Sequence, residues 1–235
     1  MDISNQVALV TGANRGIGEH FVNELLLRGV QKVYATSRRP ELIDIPGVRV
    51  LPLDITDPES IRAAAEEASD VTLLINNAGL TTHTPLVTGD LENIRLEMDT
   101  HFYGTLDVVR TFAPVLASNN GGAIVNILSA LSWFSVPNAG AYSAAKAAEW
   151  NLTNAIRLEL APQRILVQAV HLGAADTDMN AGYDGPMIDA REVPRASLDG
   201  LSKDAIEVIV DDASGHVKAS LAGDPAEFYA AMLGH

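Results

Sequence analysis

The stretch Val7-Ala8-Leu9-Val10-Thr11-Gly12-Ala13-Asn14-Arg15-Gly16-Ile17-Gly18 decides how the rest of the chain is read. Its first four residues form a short apolar run of the kind that makes a buried strand. The glycines that follow lead into a helix whose apolar side carries Phe21, Leu25 and Leu26. Glycine lets the backbone turn tightly and come close to a pyrophosphate, whose charge is met by the free amides and dipole at a helix N-terminus. Gly12, Asn14, Arg15, Gly16, Ile17 and Gly18 are therefore candidate cofactor-binding residues. Three residues separate the first two glycines, a departure from the GxGxxG dinucleotide fingerprint.

Outward from this loop, short β-branched runs alternate with longer stretches of helical period, which predicts βαβ units around a parallel sheet buried on both faces. Strands are expected at Val7–Val10, Lys32–Thr36, Val48–Leu53, Leu73–Asn76, Ala123–Leu128, Leu166–His171 and Ile206–Val210. Helices are expected to begin near Gly16, at Pro58, near Leu91, near Tyr142 and around Val193, with a last helical segment that includes Asp224 to Leu233. Asp57-Pro58-Glu59 is a clear helix start: an N-cap, a proline at the first position and an acid in the first turn. Pro40 and Pro46 leave room for little or no crossover helix between the second and third strands. The expected fold is α/β, a Rossmann-like doubly wound parallel sheet of about seven strands with helices on both faces. It forms one dinucleotide-binding and catalytic domain over 1–235. The irregular segment 174–191, with Gly182, Gly185 and Pro186, lies past a strand's C-terminal end, where a loop covering the substrate is expected. The alternative is an ordinary surface connection.

The composition narrows the function. The chain has 235 residues, no cysteine, 47% hydrophobic residues and 16 basic against 30 acidic side chains, for a formal charge of −14. Disorder and disulfide scaffolds are excluded. Nucleic-acid binding draws on basic patches, and no basic stripe is present, so no nucleic-acid partner is expected. Without cysteine there is no thiolate metal site, and no metal is expected. No run reaches the ~18–20 apolar residues needed to span a bilayer, and Met1 to Gln6 lacks a basic start, so the expectation is a cytoplasmic protein with no membrane partner.

At the end of the second strand, where a carboxylate would hold the ribose 2′-hydroxyl of NAD, stand Ser37, Arg38 and Arg39. Guanidinium groups bind a 2′-phosphate through charge-assisted hydrogen bonds, and Arg15 adds a third positive charge. NADP(H) is therefore expected in preference to NAD(H), unless Arg38 and Arg39 are merely a solvated pair. The third strand ends at Asp54-Ile55 and the fourth at Asn76-Asn77-Ala78-Gly79, positions open to an adenosine. Alternatively, Asp54 caps a turn and Asn77 fastens two strands together.

Thirteen residues beyond Ser129, at a strand end, comes Tyr142-Ser143-Ala144-Ala145-Lys146. Tyr142 and Lys146, at i and i+4, share a helix face. A nearby ammonium favours the phenolate, so the pair is expected to bring the phenol down from pH ~10 toward working pH, as a general acid requires. In the bland alternative Tyr142 packs its ring, Lys146 is a surface charge and Ser129 is a strand-end hydroxyl.

With these motifs in one order and spacing, the chain resembles the short-chain dehydrogenase/reductase family, in its compact single-domain branch. The likeness runs from about Val7 to Met179 and rests on the Thr11 to Gly18 loop, Asp54, Asn76 to Gly79, Ser129, Tyr142, Lys146 and Thr177. It implies that Tyr142 gives the proton to the substrate oxygen and Ser129 holds that oxygen. It also implies that Lys146 binds the nicotinamide ribose and tunes Tyr142, that Thr177 contacts the nicotinamide end, and that the protein is a homodimer or homotetramer. Two positions depart from the family pattern. His101 stands where the family commonly has an Asn that helps link the lysine to solvent; an imidazole can also accept and donate, so His101 is counted with the catalytic residues, the alternative being a histidine packed under the site. Leu172-Gly173 replaces a Pro-Gly, and leucine does not fix φ as proline does. Gly173 is kept among the cofactor-binding candidates.

Leu80, His83, Leu131, Trp133, Phe134, Tyr183, Met187 and Ile188 are the expected pocket walls, which points to a hydrophobic or aromatic carbonyl or alcohol as the small-molecule partner. Trp133 and Phe134 alternatively pack against the loop or another subunit. The expected function is an NADP(H)-dependent carbonyl reductase or alcohol dehydrogenase. Two alternatives are a non-catalytic cofactor-binding sensor or scaffold and a cofactor-independent lyase-type relative; the complete Ser129, Tyr142 and Lys146 set and the intact glycine loop weigh against them.

Overall fold

A computed structural model describes residues 1–233. Seven strands, β1 (Val7–Thr11), β2 (Lys32–Ser37), β3 (Arg49–Pro52), β4 (Leu73–Asn76), β5 (Gly122–Ile127), β6 (Ile165–His171) and β7 (Glu207–Ile209), form one sheet in the order β3-β2-β1-β4-β5-β6-β7. Every pairing is parallel. The winding reverses between β1 and β4, which opens a crevice at the C-terminal strand ends.

The helices are α1 (Gly16–Leu27), α2 (Pro58–Glu67), α3 (Leu91–Met98), α4 (Thr105–Ser118), α5 (Gly140–Leu160), α6 (Glu192–Leu201), α7 (Asp212–Ser220) and α8 (Pro225–Leu233). Successive strand residues face opposite sides. Ala8 and Val10 accordingly join Val22 of α1 and Leu198 of α6 on one face, while Val7 and Leu9 join Ile61 of α2, Phe112 of α4 and Ile156 of α5 on the other. At about 25 cal/mol per Å² of apolar surface, these two layers supply most of the drive to fold.

α2 starts as its sequence predicts: Asp57 accepts a hydrogen bond from the Glu59 amide and Pro58 occupies the first turn. A single 3-10 turn, Pro40–Leu42, is all that lies between β2 and β3. The helix expected near Leu91 differs from a simple one, because α3 and α4 are joined by a π-helical turn, Asp99–Gly104, that contains His101. One extra residue per turn is invisible to a 3.6-residue pattern, and such turns gather at functional sites. The last helical segment is two helices, since Gly223 and Pro225 interrupt it and Asp224 caps the second at the Ala226 amide. Strand limits lie within one residue of expectation, β4 matching at both ends, and no helix among the described residues is long and apolar enough to cross a membrane.

Buried polar contacts fix the register of α5 on the sheet. Asn76 of β4 donates to Asn126 Oδ1 of β5 at 2.8 Å, and Asn126 donates to Thr153 Oγ1 of α5 at 2.9 Å. Thr153 in turn donates to the Glu149 carbonyl at 2.7 Å. All the side chains in this chain are buried, so its satisfied bonds hold α5 at one depth.

Candidate active site

Gly12 has φ +67°, and a Cβ there would stand 2.9 Å from the Ala78 Cα. At Gly18 a Cβ would meet the Gly12 carbonyl oxygen at 2.2 Å, so only hydrogen fits. The loop thus folds back on itself and bares backbone at the N-terminus of α1, beside β4, a shape that fits a dinucleotide pyrophosphate. Asn77 locks this arrangement: its amide Nδ2 donates to the Thr11 and Gly12 carbonyls at 3.0 and 3.3 Å. Ala78 N donates to Thr11 Oγ1 at 3.0 Å, which ties the Asn77-Ala78-Gly79 turn to the same strand end. The fastening role weighed for Asn77 is what the geometry shows. Asp54 likewise caps its own turn, accepting from the Thr56 amide and hydroxyl at 2.9 and 2.7 Å, with Ile55 buried behind it.

Ser37 is buried and accepts from the Arg39 amide, while Arg38 and Arg39 are exposed and make no ion pair among the described residues. Arg15 departs from the expectation of three arginines aimed at one place. Its guanidinium reaches Asp178 at 3.1 Å, because Asp178 of the 174–191 segment lies opposite the loop. With both side chains more than half exposed, at 62% and 74%, the pair is worth about 0–1 kcal/mol and is easily exchanged for another anion. Asn14 and Ile17 are half-buried, and Thr177 Cγ2 lies 3.3 Å from where a Cβ on Gly16 would stand, so Thr177 faces the glycine loop.

Ser129, two residues past β5, caps the 3-10 turn Ala130–Ser132 and accepts from the Leu131 amide at 3.1 Å. Lys146, one turn below Tyr142 on α5, is buried; its Nζ donates to the Ile127 carbonyl at 2.8 Å and to Glu149 Oε2 at 2.7 Å and lies 5.8 Å from the Tyr142 ring centre. The fold therefore gathers Ser129, Tyr142 and Lys146 in one place, at the C-terminal ends of β4 and β5. The expected drop in the Tyr142 pKa is not what the structure shows. Burial raises the phenol above its ordinary value; Lys146 opposes this, and so does the Ser129 hydroxyl, but Glu149 and Glu97 push upward again. The sequence reading counted the ammonium and not the carboxylates behind it.

Those carboxylates are the main feature that sequence reasoning missed. His101 is buried under Tyr142, edge to face at 5.3 Å between ring centres. Its Nε2 lies 2.8 Å from the Leu80 carbonyl oxygen, which can only accept, so Nε2 carries the hydrogen. Nδ1 stands 3.7 Å from Glu149 Oε2, and Glu97 Oε2 lies 3.4 Å from Nε2. Glu97 also accepts from the Thr82 amide and hydroxyl, and Glu149 accepts from Thr105 Oγ1 at 3.1 Å. Glu97 sits one α-helical turn before His101, and Glu149 three residues after Lys146. Those helical spacings were the only signal in the sequence, and spacing alone does not mark an acid as buried.

At β6, Leu172 joins the apolar core and accepts from the Ala130 amide at 2.9 Å, while the Gly173 amide donates to Asp211 Oδ2 at 2.8 Å. Trp133 and Phe134 are engaged by protein. Trp133 stacks on His171, 4.2 Å between ring centres, and Phe134 meets Phe228 of α8 edge to face. Phe228 of α8 and Lys218 of α7 thus lie against these rings, both of which stay half-buried. Leu80 and Leu131 are half-buried near the site, whereas His83, Tyr183 and Met187 are exposed.

The family model described as short chain dehydrogenase matches residues 6–185. An NADPH-dependent 1-acyldihydroxyacetone phosphate reductase of Schizosaccharomyces pombe is 32% identical over 83% of the chain and 68% of its own length. A 3-ketodihydrosphingosine reductase of Bacteroides thetaiotaomicron is 34% identical over 76% of the chain and 65% of its own length. The chain spans about two thirds of the length of these curated relatives. The crystal structure of a short chain dehydrogenase from Burkholderia cenocepacia, in complex with NADP, superposes with a TM-score of 0.94 at 41% identity over 99% of both chains. The fold, the site and these likenesses place the chain in the short-chain dehydrogenase/reductase family of oxidoreductases.

Proposed function

We propose that this protein is an NADP(H)-dependent reductase that interconverts a ketone or aldehyde and the corresponding alcohol on a hydrophobic small molecule. The observation that carries this reading is the meeting of Ser129, Tyr142 and Lys146 beside a glycine loop shaped to receive a pyrophosphate. The cofactor, when bound, supplies or accepts the hydride at its nicotinamide ring. Gly12, Asn14, Arg15, Gly16, Ile17 and Gly18 hold its pyrophosphate; Arg38 and Arg39, exposed and unpaired with any described carboxylate, hold the 2′-phosphate beside Ser37. Asp54, Ile55, Asn77, Ala78 and Gly79 border the adenosine, and Gly173 and Thr177 the nicotinamide end. The NADP named with the Burkholderia cenocepacia structure and the NADPH in the name of the S. pombe relative support this choice.

Ser129 holds the substrate oxygen and Tyr142 donates the proton that it takes up. Lys146 binds a ribose and stabilises the phenolate left behind, which matters all the more because burial raises the phenol. His101 supports the lysine side of the site. Segment 174–191, held by the Ala175–Ile188 bridge, the Arg15–Asp178 ion pair and a few hydrogen bonds, covers the substrate within a single catalytic domain. The chain works in the cytoplasm as a homodimer or homotetramer, and Leu158, 78% exposed on α5, is a residue that such an interface would cover. Light scattering coupled to gel filtration counts the subunits. The function is tested by NADPH oxidation over a panel of aromatic and aliphatic ketones and aldehydes. Turnover of the apolar members supports it, and preference for short charged carbonyls contradicts the substrate class.

A further inference from the structure

Lys146 is held by protein on two of its three N–H bonds. One goes to the Ile127 carbonyl and the other to Glu149 Oε2, at 2.8 and 2.7 Å. Glu149 is itself buried and fixed by three neighbours: Lys146, the Thr105 hydroxyl at 3.1 Å, and the turn of α5 that Thr153 anchors to Asn126. Such fixing has a cost. A carboxylate removed from water is tolerated only where ion pairing and hydrogen bonds replace its hydration, and a residue used merely to fill this space would be apolar.

We propose that Glu149 is a positioning residue for the reaction, which fixes the Lys146 ammonium in place and keeps it charged in the dry interior beneath Tyr142. This rests on the functional reading above. The titratable groups around Lys146 are Glu149 and Tyr142 from α5, His101 from the π-helical turn, Glu97 from α3 and His171 from β6; the neighbour from β5 is the uncharged Ile127 carbonyl. Burial drives Lys146 toward the neutral amine. The Glu149 carboxylate, helped by Tyr142 and Glu97, more than reverses this, so the lysine stays protonated above its ordinary range. Remove that carboxylate and burial is left largely uncompensated. A neutral Lys146 no longer stabilises the Tyr142 phenolate, and an amine free to swing loses its aim.

The test compares wild type, Glu149→Gln and Glu149→Asp. Glutamine keeps the shape and an acceptor but no charge; aspartate keeps the charge on a shorter arm. With NADPH and a ketone that wild type reduces, Glu149→Gln is expected to lose about 10²-fold in kcat at pH 8 to 9 and less at pH 6, where the lysine regains its proton; Glu149→Asp recovers part of the loss. A second readout needs no turnover. In wild type the raised Lys146 pKa contributes stability that is complete below the ordinary lysine value and fades as pH rises through the folded one. In Glu149→Gln the folded value drops below the ordinary one, so the Tm of the variant falls relative to wild type as pH is lowered from 10 to 7. Parallel Tm curves, or a pH–rate profile in Glu149→Gln that matches wild type, overturn the proposal. A wild type inert toward every carbonyl contradicts the reading of the reaction instead, and the Tm curves then decide for or against the ion pair alone.

Discussion

His101 Nε2 donates to the Leu80 carbonyl oxygen at 2.8 Å, so a side chain from the π-helical turn holds the start of the loop that follows β4. The loop's continuation is pinned from α3, where Glu97 takes the Thr82 amide. His101→Ala leaves a half-buried carbonyl without its donor and opens space under Tyr142. The expected loss is about 1–3 kcal/mol of stability, with a kcat reduced at least about tenfold. His101→Asn restores a donor and retains most of both. Chemical denaturation and steady-state rates check this, and unchanged rates in both variants remove His101 from the catalytic account.

Gly18→Ala is a sharper change than its size suggests. The added methyl would lie 2.2 Å from the Gly12 carbonyl oxygen and 2.5 Å from Asn77 Nδ2, so the glycine loop and the Asn77 clamp must part. Overpacking of this kind costs about 1–3 kcal/mol, and the displaced amides no longer face a pyrophosphate. Fluorescence titration with NADPH should show at least a tenfold weaker Kd, and a Kd like that of wild type would mean that the phosphates bind elsewhere.

Arg38→Ala combined with Arg39→Ala tests the cofactor choice. A charge-assisted hydrogen bond contributes about 1.5–3 kcal/mol, so the KM for NADPH should rise by roughly 10- to 100-fold while that for NADH stays within a few-fold of wild type. An equal loss with both cofactors would mean that the arginines serve the fold rather than the 2′-phosphate.

His171 is expected to cost the fold stability in acid. Burial, with Trp133 stacked on the ring, lowers its pKa from 6.5 to about 4. Between these values the unfolded chain binds a proton that the folded one refuses, so the contribution is intact above pH 6.5 and is lost, by about 3 kcal/mol, as pH falls toward 4. Urea midpoints for wild type and His171→Gln between pH 7 and 4 check the sign: the wild-type curve should fall more steeply than that of the variant.

The alternation of β-branched runs with helical stretches was enough to read the seven parallel strands, and Asp57-Pro58 enough to start α2 to the residue. Ser129, Tyr142 and Lys146 were also legible, because strand ends and an i, i+4 spacing put them on known faces. Glu97 and Glu149 were not. Each looks like an ordinary charged helix residue until packing buries it, and the partners that meet them there, Thr82 for Glu97 and Thr105 for Glu149, are distant in sequence. The same blindness misjudged Tyr142, whose pKa depends on desolvation and on carboxylates distant in sequence. The contact of Phe134 with Phe228 was likewise out of reach, because α8 lies far along the chain.

Isotope transfer follows both halves of the reaction at once, the hydride that reaches a substrate carbonyl and the proton that Tyr142 gives. Wild type and Tyr142→Phe are incubated with a reducible ketone and NADPH carrying deuterium at both C4 positions, and the alcohol is analysed by mass and NMR. One deuterium is expected on the carbinol carbon with wild type, and a rate at least about 10²-fold lower with Tyr142→Phe. An alcohol without deuterium, or undiminished turnover in Tyr142→Phe, would contradict this mechanism.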